Sequence, residues 1–219
     1  MDELRQIDEK HYELISASGN TYRLTYNNTG IKCSCLGFKH RQKCRHTDFI
    51  QVEPKKRYPA SYATKVLAIL KGNLGNNKHE IAGSYRRGKS TIGDVDILVE
   101  ATEEDFFGIR NSIDVNPNVQ TIVVSGNDIC RGTVIIDEDE IQFDITRVNA
   151  NEWASYLLYR TGPRDFNIKM RAEAKRQGMK LNEHGLYTGE LFDMKFETPT
   201  EADICYILGL SYIAPEFRI

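Results

Sequence analysis

Residues 94–99 of this 219-residue chain read Asp-Val-Asp-Ile-Leu-Val, two carboxylates one residue apart at the head of an apolar run. In an extended strand successive side chains alternate between faces. Asp94 and Asp96 therefore share one face, and Val95, Ile97 and Val99 share the other. Neighbouring carboxylates on a rigid strand repel each other unless a cation lies against them. Hard oxygen donors of this kind suit Mg²⁺ or Mn²⁺. Just upstream, Gly83-Ser84-Tyr85-Arg86-Arg87 forms a small-residue turn followed by paired arginines. Its backbone N–H groups, the Ser84 hydroxyl and the guanidinium groups suit a phosphate. A phosphate cradle beside a divalent-metal pair is the equipment of nucleotide chemistry.

A two-ion site usually needs a third anionic ligand. Ile141-Gln142-Phe143-Asp144-Ile145-Thr146 supplies one. Ile141, Phe143 and Ile145 alternate with Gln142, Asp144 and Thr146, the pattern of a half-buried strand, so Asp144 points with its polar neighbours. Residues 133–136 read as a preceding strand, and Asp137-Glu138-Asp139-Glu140 as an acidic hairpin turn between them.

The order Gly-Ser, Asp-x-Asp, single Asp resembles a nucleotidyltransferase palm, a superfamily that includes small-molecule adenylyltransferases. A later run narrows the likeness. Tyr159-Arg160-Thr161-Gly162-Pro163-Arg164-Asp165-Phe166-Asn167-Ile168-Lys169-Met170-Arg171 resembles the thumb motif of the family X, beta-like DNA polymerases. Leu181-Asn182-Glu183-His184-Gly185-Leu186-Tyr187 is similar to that family's next strand, and residues 208–216 to its C-terminal end. The resemblance runs from about Tyr58 to Ile219.

This resemblance implies DNA-directed, gap-filling repair synthesis: transfer of a nucleotide from a dNTP to a primer 3′-hydroxyl at two Mg²⁺ (or Mn²⁺) ions, releasing pyrophosphate. Asp94 and Asp96 would bind both ions. Asp144 would bind the catalytic ion and help activate the hydroxyl. Ser84 and Arg87 would hold the β- and γ-phosphates, Gly83 would allow close backbone approach, and Gly93 would relieve crowding before the acidic strand. Tyr159, Gly162 and Asn167 would lie against the nucleotide. Arg164, Arg171 and Lys175, on one face of the thumb helix, would meet DNA. Two departures stand out. Arg160 occupies a position often aromatic in the family, which bears on sugar discrimination. Arg57-Tyr58-Pro59-Ala60 stands where Arg-x-Pro-Arg is common, so a phosphate contact is replaced or lost. Two other readings fit the palm residues: a template-independent terminal transferase or small-molecule nucleotidyltransferase, and a binding module with a vestigial site.

The five cysteines are too few and too unevenly placed for a disulfide framework. With no signal peptide and no membrane-spanning apolar run, the expectation is an intracellular, reducing compartment. That means a viral or bacterial host cytoplasm, or the nucleus, rather than secretion. Cys33-Ser34-Cys35 and Cys44-Arg45-His46 offer three thiolates and one imidazole, a closed tetrahedral set for one structural Zn²⁺. The pattern resembles a SWIM-type zinc finger, a module associated with nucleic-acid or protein binding. His40 is the competing imidazole. Lys39, Arg41 and Lys43 would form a basic knuckle facing DNA phosphates. Nothing before Tyr58 resembles the lyase domain of family members that process abasic sites, and the zinc module is expected to take over its grip on the downstream strand or 5′ end.

Net charge is only −2, which looks odd for a nucleic-acid binder. The charges are segregated, however: acid collects at 94–105 and 137–144, base at 32–57 and 160–180. The expected organisation is α+β: a zinc-binding module over residues 1–53, a mixed-sheet palm over 54–155 and an α+β thumb over 156–219. The expected partners are gapped or nicked DNA, a dNTP and a DNA ligase or other repair protein, with no membrane and a monomeric state. Locally, the residues before Thr21 read as a short helix or strand, and 22–26 as a strand entering a turn at 27–30. A helix is expected over 60–71, a loop over 73–78 and a strand over 79–82. Pro163 suits the first turn of a helix ending near Gln177 with Gly178 as its stop. Phe166, Met170 and Ala174 form its buried stripe. Thr198-Pro199-Thr200-Glu201 reads as a capping box opening the final helix. Trp153 is expected in the core, Cys130 and Cys205 as packed thiols, and His184 as a capping or packing residue.

Overall fold

The computed structural model describes residues 2–8, 11–27, 30–41, 44–49 and 56–218. The chain divides into two units, Met1–Lys55 and Lys56–Ile219.

In the first unit four strands, β1 (Glu3–Gln6), β2 (His11–Ile15), β3 (Thr21–Asn27) and β4 (Gly30–Cys33), form an antiparallel sheet in that order. Alternation sets its buried face: Leu14 and Leu24 are fully buried, with Tyr12, Tyr22, Ile31 and Cys33 packed beside them. The residues before Thr21 are thus two strands; Leu4 pairs with Leu14 and puts apolar side chains on the common face. A short helix, α1 (Leu36–Arg41), and a 3₁₀ turn (Arg45–Phe49) follow. The buried apolar set is small, as expected for a unit of this size.

In the second unit β5 (Tyr58–Pro59) leads into α2 (Ser61–Leu74), β6 (His79–Ile81), the short turn α3 (Gly83–Arg86), β7 (Thr91–Ile92) and β8 (Val95–Glu100). Then come α4 (Glu103–Asp114), β9 (Val119–Ser125), β10 (Ile129–Ile136) and β11 (Asp139–Val148). The main sheet runs β6-β8-β11-β10-β9; β8 and β11 are parallel and the other neighbours antiparallel. Val66, Leu70 and Leu74 of α2 and Phe106, Ile109 and Ile113 of α4 bury one sheet face against Ile97, Phe143 and Ile145. Helix α2 runs to Leu74, beyond the expected end, because Leu74 is itself a buried core residue. Strand β10 likewise begins four residues before the expected start, since Ile129 and Cys130 pair with Thr146 and Ile145. The acidic hairpin tightens to two residues, Asp137 and Glu138, at φ +50° and +71°. Both are in the left-handed region that a two-residue hairpin of this kind demands.

The rest of the unit comprises α5 (Trp153–Thr161), α6 (Arg164–Arg176), a small sheet of β12 (Lys180–Asn182), β13 (Gly185–Thr188) and β14 (Met194–Lys195), and α7 (Glu201–Ile207). Phe166, Met170 and Ala174 are buried at their spacing of four, with Leu186, Ile204 and Cys205. Gly178, at φ +71°, follows the last turn of α6 as the left-handed stop. Pro163 caps that helix from outside rather than sitting in its first turn. Residues 181–187 are a hairpin, not one strand, because the Asn182 side chain accepts from the His184 and Gly185 N–H groups and turns the chain. The capping box opening α7 uses Thr200 and Asp203. Glu201, expected in that role, is buried with two arginines instead. Trp153 and Leu157 pack on Leu98 and Val148, Cys130 is fully buried, and His184 packs edge-on against Tyr156. Among the described residues no helix is long and apolar enough to cross a membrane.

Candidate active site and metal centre

Because β8 and β11 run parallel in register, Asp96 and Asp144 are direct cross-strand neighbours. They lie on the sheet face opposite α2 and α4, where further along Leu98 and Val148 support α5. Like charges directly opposite in a sheet are destabilising, so this pairing needs a countervailing cation. Asp94 immediately precedes β8 and is half-buried, and Gly93 before it is buried. Gly83 has φ +61°, and a Cβ there would stand 2.5 Å from Asp96 Oδ2. Only glycine lets the Gly-Ser turn come this close to the acidic strand.

Two arginines stand against these acids. Arg131 faces Asp144 across the β10–β11 ladder; its Nε donates to Oδ1 at 2.7 Å and its Nη2 to Oδ2 at 2.6 Å. Gln142 Nε2 donates to Oδ1 at 3.0 Å. Burial alone would raise the pKa of Asp144, but the hydrogen bonds from Arg131 and Gln142, with the charges of Arg131 and Arg160, hold it below the ordinary carboxylate range. Arg160 Nη1 lies 3.9 Å from Asp96 Oδ1. Sequence reasoning missed Arg131. The signal was present: counting back from a two-residue turn at 137–138 pairs position 131 with 144.

The Gly-Ser turn is anchored from behind. Arg86 donates to Glu80 at 2.7 Å, to Thr161 Oγ1 at 3.0 Å and to both oxygens of Glu201 at 3.0 and 2.8 Å. Arg218 donates to Glu201 Oε1 at 2.9 Å and to the Ile213 carbonyl at 2.9 Å. Burial would raise Glu201, yet Arg86 and Arg218 hold it below its ordinary value. Nothing in the sequence signalled this triad, whose members are separated by long stretches of chain. Ser84 is half-buried beside Gly83, and Arg87 donates to the Thr161 carbonyl. Burial lowers the pKa of Arg87 from its ordinary value. Arg87 and Asn167 both approach Gly162, and Asn167 Nδ2 donates to the Tyr159 carbonyl at 2.7 Å. Tyr159, Asn167, Arg171 and Asn182 line one cleft. Arg164, Arg171 and Lys175 are exposed on α6. Arg57 bonds Thr91 through Oγ1 at 2.9 Å and through its carbonyl.

In the first unit, Cys33, Cys35, Cys44 and His46 bring their ligand atoms within 4.8 Å of one another. Among the described residues this is the only group of three or more such donors to do so. Asp94, Asp96 and Asp144 do not meet that spacing, and guanidinium groups stand beside Asp144 and Asp96. A tetrahedral zinc–thiolate site has an edge of about 3.8 Å. Cys33 Sγ lies 3.6 Å from His46 Nδ1, and Tyr22 stacks on the His46 ring at 4.0 Å. Burial pushes the Cys33 thiol up to about 12. Burial opposes ionisation of Cys35 too, but the N–H of Phe38 and neighbouring thiols bring it below its ordinary value. Three sulfurs and one nitrogen, closed and largely buried, fit a structural zinc ion. His40 is exposed on α1 and takes no part in the group; Lys39 and Arg41 are exposed beside it. Lys43 lies outside the described residues. The aspartate set, all hard oxygen, fits divalent magnesium or manganese, with guanidinium cations already beside two of the three.

Residues 57–123 match the family described as DNA polymerase beta palm, and residues 156–219 match DNA polymerase beta thumb. The chain belongs to the family X DNA polymerases. Among its relatives is the DNA polymerase/3′-5′ exonuclease PolX of Bacillus subtilis (strain 168), 31% identical over 167 residues, 74% of this chain and 29% of that protein. DNA polymerase lambda of Rattus norvegicus is 33% identical over 161 residues, 62% of this chain and 28% of the relative. The Repair DNA polymerase X of African swine fever virus (isolate Warthog/Namibia/Wart80/1980) is 26% identical over 166 residues, 75% of this chain and 92% of the viral protein. The chain thus spans less than a third of the bacterial and rat family X relatives and nearly all of the viral one.

Proposed function

We propose that this chain is a DNA-directed DNA polymerase that fills short gaps during DNA repair. The observation that carries the reading is the in-register juxtaposition of Asp96 and Asp144, with the Gly-Ser turn packed against Asp96. In the proposed reaction the primer 3′-oxygen attacks the α-phosphorus of a dNTP. The bond from that phosphorus to the bridging oxygen of the β-phosphate breaks, and pyrophosphate leaves. The proton of the 3′-hydroxyl passes to a carboxylate oxygen of Asp144. Asp94, Asp96 and Asp144 would hold two Mg²⁺ or Mn²⁺ ions, which when bound lower the pKa of the hydroxyl and neutralise charge on the phosphates. Ser84 and Arg87 hold the β- and γ-phosphates, and Gly93 leaves room before Asp94. Tyr159, Gly162 and Asn167 orient the sugar and base, supported by the Asn167 amide, which bonds the Tyr159 carbonyl and approaches Gly162.

Arg160 carries a second role. With alanine at position 60, its guanidinium beside Asp96 is available as the substitute cation for the triphosphate. Arg164, Arg171 and Lys175 on exposed α6 grip the duplex, and Lys39, Arg41 and Lys43 grip the strand beyond the gap, on a module held by zinc at Cys33, Cys35, Cys44 and His46. Sealing the remaining nick is ligase chemistry. The functional segments are read as 1–53, 54–155 and 156–219.

Primer extension on a one-nucleotide gapped duplex with Mg²⁺, each dNTP supplied separately, tests the reading. Wild type should add only the templated nucleotide, and Asp94→Ala/Asp96→Ala should lose at least about 10³-fold in rate. Addition regardless of template would replace the reading with terminal transfer. No incorporation with either Mg²⁺ or Mn²⁺ would leave a nucleic-acid-binding module with a vestigial site.

A further inference from the structure

Both oxygens of Asp144 are engaged inside the protein. Oδ1 accepts from Arg131 Nε and Gln142, and Oδ2 from Arg131 Nη2. A carboxylate clasped by a bidentate guanidinium is already charge-neutralised, so a divalent ion must compete with Arg131 for it. The clasp is set by backbone register, not by a wandering side chain, because positions 131 and 144 are opposite one another in the ladder. The charge of Arg131 is also felt by Asp94 and Asp96.

A second arginine–carboxylate pair shows what a permanent clasp looks like. The Arg218 side chain is 0% exposed against Glu201 and has nowhere else to go. The Arg131 side chain is 35% exposed, while its partner Asp144 is only 9% exposed. Arg131 can leave by rotating toward solvent; Asp144 cannot follow.

We propose that Arg131 is a positioning residue for nucleotidyl transfer, holding Asp144 until a divalent ion arrives and then passing to the primer's terminal phosphodiester. The inference rests on the polymerase reading, which sets the primer 3′ end against Asp144. An ion at Asp144 repels the guanidinium. Asp94 and Asp96, the other anions that Arg131 feels, are taken by ions in the same reading, which leaves to Arg131 the phosphodiester joining the primer's last two nucleotides. The planar fork of arginine matches that group. No covalent bond changes in this step; only electrostatic partners are exchanged.

The test uses the full chain as wild type, Arg131→Gln and Arg131→Lys. Binding of Mn²⁺ without DNA is measured from the electron paramagnetic resonance of the free ion. Arg131→Gln should bind Mn²⁺ about tenfold tighter, with Arg131→Lys between. Equal or weaker affinity in both variants overturns the competition. Next, binding to a gapped duplex is measured by fluorescence anisotropy with Ca²⁺, using a primer whose terminal linkage is a neutral methylphosphonate. Wild type should lose about tenfold in affinity and Arg131→Gln nothing further. An equal loss in both overturns the transfer to the primer. Arg131→Lys, which keeps the charge without the fork, decides the matter should the glutamine variant fail to fold. Templated incorporation by wild type is followed in parallel. Its absence removes the polymerase reading, whereas incorporation without any Mn²⁺ difference removes only the role of Arg131.

Discussion

The donors Cys33, Cys35, Cys44 and His46 converge within 4.8 Å, whereas Asp144 is clasped by Arg131 and Asp96 has Arg160 3.9 Å away. The contrast follows from charge. Burial holds the Cys33 thiol neutral without metal, and cysteine side chains can be packed together as small apolar groups. Carboxylates are ionised at neutral pH and cannot be assembled without a cation. One centre is therefore preassembled and suited to an ion that stays, while the other is held by the protein's own cations and suited to ions that come and go with substrate.

The comparison can be broken at several points. The largest effect should come from removing zinc. Structural zinc in small modules contributes about 10 kcal/mol or more to folding, and the apolar core around Leu14 and Leu24 is small. Chelation, or Cys33→Ser, should abolish amide-exchange protection across β1–β4 while the melting of the second unit stays put. Retained protection in the first unit would show that its sheet stands without metal. Next in size, Asp144→Asn keeps the shape and removes the charge that Arg131 answers. Turnover on a gapped duplex should fall about 10³-fold with the melting temperature nearly unchanged; a large drop in melting temperature would make that pair structural.

Glu201→Ala is the counterpart for a permanent clasp. It strands Arg86 and Arg218 and should cost about 3–5 kcal/mol by chemical denaturation. A loss below 1 kcal/mol would place water, rather than the protein, around those arginines. The same carboxyl sets a pH dependence. Its pKa is lowered in the folded protein from an ordinary value of 4.5, so its stabilisation is fully present above 4.5 and is lost as pH falls through the lower folded value. The wild-type melting temperature should fall more steeply below pH 4.5 than that of Glu201→Gln, and parallel curves would remove Glu201 from the account. Smallest, Thr200→Ala deletes the side-chain cap of α7 and should cost about 1 kcal/mol without altering nucleotide addition.

Much of this was legible in the sequence because it rests on short-range periodicity. The alternation around Asp94–Val99, the buried stripe Phe166, Met170 and Ala174, and the hairpin at 137–140 each declare themselves within a few residues. So does Cys-x-Cys with Cys-x-His, since four donors in so short a span have little room to separate. What was not legible depends on distant pairing. Arg131 needed a ladder register, and the triad Arg86, Glu201 and Arg218 needed three elements to close together. Glu201 was misread because the local capping pattern competes with a buried tertiary partner. Helix α2 outran its expected end for the same reason: Leu74 finds its partners in α4 and the sheet, not in its own neighbourhood.

The triad also has a schedule. Arg86 belongs to the turn that packs on Asp96, yet Glu201 and Arg218, which hold it, come far later in the chain. At ordinary rates of synthesis that interval is on the order of ten seconds. During it, the sheet from β6 to β11 can form with Arg86 waiting for its acid. A ribosome stalled short of residue 218 would therefore present a folded sheet whose Gly-Ser turn is not yet locked, a nascent chain with Asp96 and Asp144 aligned and the turn beside them still loose.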